Sequence, residues 1–350
     1  MTSKIEHPPQ MIDRESFSRS QVLTTASIHL TGGIRADQVN GGWSIQPVPS
    51  PDGPKMFRPF QRTVVDHFAT TANLRIIGTD QISGIGGPLP ARIWTPQYGQ
   101  NASAMSAADQ WGAIAIAASR SNDDATADSA RKIEVTLNAA GIRIRDASDC
   151  LHAQLHAAII EERKPGQRFK NIPLLDLFLA FHSLMSEMAS ARDYIAQFAA
   201  RKLGAPKKID SLNFFEGWAV GSTGATTDPL AAALLGSREA GADNAWLAEL
   251  TEYRNIFLHR MPIAAMKNVS LVIVERQVEQ IAMRFVEMHI PDLVSGSGTC
   301  DALPKFVGLH QNLLNLAAFA ADHTGYSTAP PAFVVSPGND TAALSSRTTD

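Results

Sequence analysis

Between Pro173 and about Leu203 the apolar residues Leu174, Leu177, Phe178, Phe181, Leu184, Met185, Met188, Ile195 and Phe198 recur at helical spacing. That period predicts one long amphipathic helix, stopped by Gly204-Ala205-Pro206. A helix with an apolar face must be covered, and the following sequence reads as further helices. Leu230 to Leu235, after Asp228-Pro229, is a short one. Asn244 to Arg260 is another, buried through Trp246, Leu250, Tyr253 and Phe257. Leu271, Val274, Val278, Ile281, Phe285 and Met288 alternate by three and four, predicting a fourth helix that Pro291 ends. The last runs from Leu303 to about Ala321, with Phe306, Leu313, Leu316 and Phe319 inward. Five helical segments in roughly 160 residues, joined by short loops, predict a bundle.

The first half reads differently. Residues 20 to 110 are rich in Gly and Pro, as in Pro47 to Pro54 and Gly84 to Pro88, and predict short strands and turns. Trp111 to Ala118 reads as a buried strand, Asp128 to Ala140 as a helix and Gly141 to Arg145 as an alternating strand. Leu151 to Glu162 is a further helix, closed by Lys164-Pro165-Gly166. The expected fold is therefore mainly α, a helical bundle over 166–328 preceded by a smaller irregular α/β region over 13–165. Flexible tails are expected at 1–12 and 329–350.

Hydrophobic content of 44% against 19% charged supplies a core. A net charge of −3 and a pI near 6.4 argue against non-specific coating of nucleic acid, and leave room for a local basic cleft. Cys150 and Cys300 form neither a disulfide framework nor a zinc cluster pattern. The apolar runs are too broken to span a bilayer. A cytoplasmic protein without metal or cofactor is the expectation.

Chemistry concentrates in the octet Tyr253-Arg254-Asn255-Ile256-Phe257-Leu258-His259-Arg260. Asn255 and His259, four apart, share a helix face. At about 100° per residue, Glu252, Asn255 and His259 form one polar stripe opposite Leu250, Tyr253 and Phe257. Arg254 stands about 140° from His259, and its long stem brings the guanidinium back toward that side. Cleaving RNA without metal needs a base for the 2′-hydroxyl, an acid for the leaving 5′-oxygen and positive charge for the transition state. His259 suits the proton transfers, Arg254 the phosphate, and Asn255 the orientation of either. An arginine followed by a histidine after four to six residues also occurs at Arg62…His67, Arg145…His152 and Arg284…His289, without the amide after the arginine.

Arg254-Asn255 followed by His259 resembles the R-N-x-x-x-H signature of the HEPN superfamily, small helical bundles of which many are metal-independent RNases. Phe181 to Asp193 is similar to the first helix of several of its families, so the resemblance covers about residues 168 to 325. It implies products with 2′,3′-cyclic phosphate and 5′-hydroxyl ends, and a homodimer whose two motifs complete one site. It also implies a role in stress response or phage defence, with an antitoxin or regulatory protein as partner. Glu252, Arg260, His182 and Asp193 are candidate supporting residues, each also readable as a solvated side chain. The second expectation is a non-catalytic module of the same family that binds nucleotide or protein.

His152 and His156 have the i, i+4 spacing of a zinc pair, but Ala153 stands where a zinc protease needs its glutamate. Two histidines on an ordinary helix are the expectation there.

Overall fold

A computed structural model describes residues 23–47, 59–85, 90–97, 105–239, 245–260, 266, 269–294 and 298–329. The tail expected at 1–12, and all but Ala329 of the one expected at 329–350, lie outside them. The chain divides into two compact units, each drawn from three separate segments. A sheet unit holds Met1–Ala102, Gly141–Leu184 and Ile256–Gly308; a helical unit holds Ser103–Ala140, Met185–Asn255 and Leu309–Asp350.

In the sheet unit, β1 (Leu23–Leu30), β2 (Arg35–Val39), β3 (Gly42–Gln46), α1 (Arg62–Thr71), β4 (Ile76–Ile85) and β5 (Ala91–Pro96) follow in order. The five strands form an antiparallel sheet ordered β3-β2-β1-β4-β5. Successive side chains on a strand face opposite ways. Ile28, Ala36 and Ile45, in register with one another, are buried on one face. Ser27, His29, Arg35, Asp37, Asp80, Arg92 and Trp94 occupy the other.

A second antiparallel sheet, β6-β7-β8-β9, joins β6 (Arg168–Phe169), β7 (Ser270–Val278), β8 (Ile281–Pro291) and β9 (Thr299–Asp301). Val278 pairs with Ile281 across a two-residue turn in which Glu279 takes φ 55°. The turn after β1 presses on β8. A Cβ on Gly33, at φ 78°, would stand 2.8 Å from Val286 Cγ1 and 2.9 Å from the Leu151 carbonyl oxygen. Both the dihedral and the space there demand glycine.

In the helical unit, Ser106 caps α2 (Ala107–Arg120) by accepting from the Asp109 amide at 3.1 Å. The unit also takes the first part of α3 (Asp124–Ile160) and the second part of α4 (Leu174–Lys202). Then come α5 (Leu212–Ala219), α6 (Thr223–Thr227), α7 (Pro229–Gly236), α8 (Trp246–Asn255) and the second part of α9 (Ala302–Asp322). Asp228 and Pro229 start α7, the carboxylate accepting from the Leu230 and Ala231 amides. Trp111 anchors the core: its indole donates to the Ala317 carbonyl at 2.9 Å and meets Phe198 edge-on at 5.4 Å.

The expectation of a mainly α chain, a C-terminal bundle behind an irregular α/β region, is overturned by two regular antiparallel sheets of five and four strands. Residues 271–288, expected as a helix, form the β7–β8 hairpin. Leu271-Val272-Ile273-Val274 is the reason: three β-branched residues in a row lose rotamer freedom in a helix and pack well on a pleat. Trp111–Ala118 and Gly141–Arg145, expected as strands, lie in α2 and α3. The first is rich in Ala, the best helix former. In the second, Gly141 lets α3 approach Trp94, whose Cδ1 would lie 3.3 Å from an added Cβ.

Candidate functional site

Trp246, Leu247, Leu250 and Tyr253 bury one face of α8, fixing its rotation. After Asn255 the helix does not stop but widens into a single π turn, Ile256–Arg260. Phe257 stays buried and meets Phe306 edge-on at 5.9 Å. Arg254, Asn255 and Glu252 are half-buried and His259 is exposed. Hydrogen bonds in a π turn run i to i+5, so each revolution takes more residues than in an α-helix. The division into units falls between Asn255 and Ile256. The Arg260 side chain lies outside the described residues.

Arg254 does not stand by itself. Its Nη1 donates to Asn255 Oδ1 at 3.3 Å, and it belongs to a group of guanidiniums in the helical unit. Arg192, on α4 and 6% exposed, donates from Nε to Asp193 at 3.0 Å and from Nη1 to Thr251 Oγ1, on α8, at 2.7 Å. Thr251 in turn donates to the Leu247 carbonyl at 2.7 Å. Burial, partly offset by Asp193 and reinforced by the charges of Arg238 and Arg254, lowers the Arg192 pKa. Arg238, just past α7, pairs through Nε with Glu216 at 3.0 Å.

The supporting candidates separate. Asp193 joins this group through Arg192 and also accepts from the Leu212 amide at 3.1 Å, holding the start of α5. His182 is exposed on the part of α4 that belongs to the sheet unit. The other Arg…His spacings lie on α1, on α3 and on β8. On β8, Arg284 and His289, five apart, face opposite ways.

The zinc-like pair is spoken for. His152 Nδ1 lies 2.9 Å from the Gly33 carbonyl, so that nitrogen carries the proton and donates. His156 is exposed. Among the described residues no group of three or more His, Cys, Asp or Glu side chains could hold a metal ion, and no helix is long and apolar enough to cross a membrane.

Sequence reasoning missed a second polar cluster, on the sheet face against α3. Arg92 donates at 2.7 Å to both Asp80 and Asp149, and Arg35 pairs with Asp37 at 2.8 Å and Asp149 at 3.6 Å. His29, 1% exposed, sets Nδ1 3.1 Å from Ser148 Oγ and its ring edge-on to Trp94 at 5.1 Å. Burial holds His29 down to about 4, against the opposing pull of Asp149 and Asp80. Alternation of Ser27 with His29, Arg35 with Asp37 and Arg92 with Trp94 was the available signal, but a polar strand face reads first as the solvent side.

A third cluster surrounds Asp301 at the head of α9. It accepts from the Met288 and Leu303 amides, while burial and neighbouring Glu287 raise it to about 7. Glu287 itself pairs with His289 at 3.0 Å and with Arg276. None of these side chains has a place in the motif.

Compared with known proteins, the chain matches no protein family, no curated protein and no solved structure.

Proposed function

We propose that this chain is a metal-independent endoribonuclease with HEPN-type chemistry, resting on its motif and not on a bundle fold. The observation that carries the reading is the change of helix type at the motif, where a π turn follows α8, since π turns are rare and frequent at functional sites. Arg254 holds the scissile phosphate and steadies the charge of the transition state. His259, exposed at the motif, takes the 2′-hydroxyl proton. The 2′-oxygen bonds to phosphorus, the bond to the 5′-oxygen breaks, and a second histidine protonates that leaving oxygen. In a homodimer the second copy supplies it. The products are a 2′,3′-cyclic phosphate and a 5′-hydroxyl. A cytoplasmic setting, an antitoxin or regulatory partner and a role in stress response or phage defence belong to the same reading. The sheet unit would then regulate the site or select its target.

The test is RNA cleavage in EDTA by wild type, His259→Ala and Arg254→Ala. Wild type cleaves to cyclic phosphate ends, and each substitution lowers the rate by about a hundredfold or more. Equal cleavage by all three rejects the assigned residues. A second reading, a non-catalytic nucleotide- or protein-binding module, is favoured by the Arg254–Asn255 hydrogen bond, which lets the motif satisfy itself. Binding without cleavage by folded wild type would select it.

A further inference from the structure

Arg238 escapes the sequence motif, and one of its donors is left without a hydrogen bond. Its Nε is engaged by Glu216 at 3.0 Å, whereas its Nη1 is buried and has no acceptor among the described residues. A buried N–H without an acceptor is costly, and a charged one more so. Arg192 shows what satisfaction looks like here: three of its donors reach Asp193 and Thr251. The same neighbourhood concentrates positive charge, because Arg238 and Arg254 both act electrostatically on Arg192. Donors in need of an acceptor, set in a positive field, are the chemistry of an anion site.

We infer that Arg238 is a second phosphate-binding residue, taking an oxygen of a phosphodiester on the same RNA strand whose scissile phosphate Arg254 holds. The inference rests on the phosphodiester reading above and extends it. Glu216, 42% exposed at its side chain, competes with the RNA for Arg238. The strand displaces part of that pairing when it binds.

Binding of a fluorescein-labelled 2′-O-methyl oligoribonucleotide to the full chain tests this without interference from cleavage, since the probe lacks the attacking hydroxyl. Arg238→Gln should weaken binding about tenfold and reduce the salt slope by about one. Glu216→Gln should tighten it about threefold, a gain that a merely damaged protein does not give. An Arg238→Gln protein with wild-type affinity and salt slope overturns the proposal, as does wild type that fails to bind the probe. The two readings fail separately. Tight, Arg238-dependent binding with no cleavage of ordinary RNA rejects the nuclease and keeps the phosphate site. Cleavage by wild type with Arg238→Gln unchanged rejects only the phosphate site.

Discussion

In the sheet unit Arg92 lies between Asp80 and Asp149, and Arg35 between Asp37 and Asp149. In the helical unit Arg192, Arg238 and Arg254 gather instead, with Asp193 bonded to the first and Glu216 to the second. Two arginines among three carboxylates make a network of opposite charges with one carboxylate in excess, and Asp80 Oδ1 and Asp149 Oδ1 have no hydrogen-bond partner among the described residues. The network's position on one strand face ties β1, β2, β4 and β5 to one register, because a slip of one residue would turn every charge to the apolar side. In the helical unit Arg238 and Arg254 both repel Arg192, which costs stability. Opposite charges thus tie strands together in one unit, and like charges gather around Arg192 in the other.

Acid should produce the largest effect, and should separate the units. The largest shift toward the neutral form in each is a buried histidine, His29 in the sheet unit and His310, bonded to the Leu137 backbone, in the helical unit; both are held down to about 4, and burial lowers His152 of the sheet unit as well. An unfolded histidine takes its proton near 6.5, so between about 6.5 and 4 the unfolded chain binds more protons and stability falls as pH falls. His29 and His310 each contribute a loss of about 3 kcal/mol by pH 4. Asp301, the carboxyl raised furthest, opposes this in the sheet unit, and Glu134, also raised by burial, does so in the helical unit. With the Asp301 carboxyl raised to about 7, the folded state binds the extra proton between about 4 and 7, so acidification there adds stability. Hydrogen exchange followed by mass spectrometry at neutral and acid pH should show the helical unit loosening first. His310→Gln should blunt that loosening, and Asp301→Asn should make the sheet unit as acid-sensitive as its counterpart. Equal loosening of both units in wild type would break the comparison.

Removing the central cation of the sheet network comes next. Arg92→Met leaves Asp80, 4% exposed, without its partner. Breaking a buried pair costs about 3–5 kcal/mol, and the partial exposure of Arg92 reduces this to about 2 kcal/mol, read as a shift in the urea midpoint. Asp80→Asn in the same background should recover part of the loss. A double variant no more stable than Arg92→Met would show that the charge of Asp80 was not what the arginine answered.

How legible all this was depended on which signal each segment carried. The seam from Leu174 to Phe198 lies on a real helix, since its period persisted over many turns. The seam from Leu271 to Met288 did not become one. A hairpin with a two-residue turn also brings apolar residues back at intervals of three and four when its two strands are read end to end. The β-branched run beginning at Val272 and the Glu279-Gln280 turn carried the better information. Arg254 and His259 were visible as residue types, but the π turn between them was not, because it leaves no compositional mark. Arg192 and Arg238 stayed hidden for a different reason: their neighbours are tens of residues away, and only tertiary packing assembles them.

The smallest expected effect is the most informative about the helical unit. Arg238→Met removes an ion pair to the largely exposed Glu216, which is worth about 0.5 kcal/mol or less. It also removes a buried N–H group without an acceptor among the described residues and relieves repulsion with Arg192. The terms nearly cancel, so stability should stay within about 0.5 kcal/mol of wild type, against about 2 kcal/mol for Arg92→Met. Paired urea titrations at neutral pH measure the contrast directly. A large loss for Arg238→Met would make that arginine a structural tie like Arg92, and the helical unit's positive group would then be holding the fold together, leaving little reason to assign it a ligand.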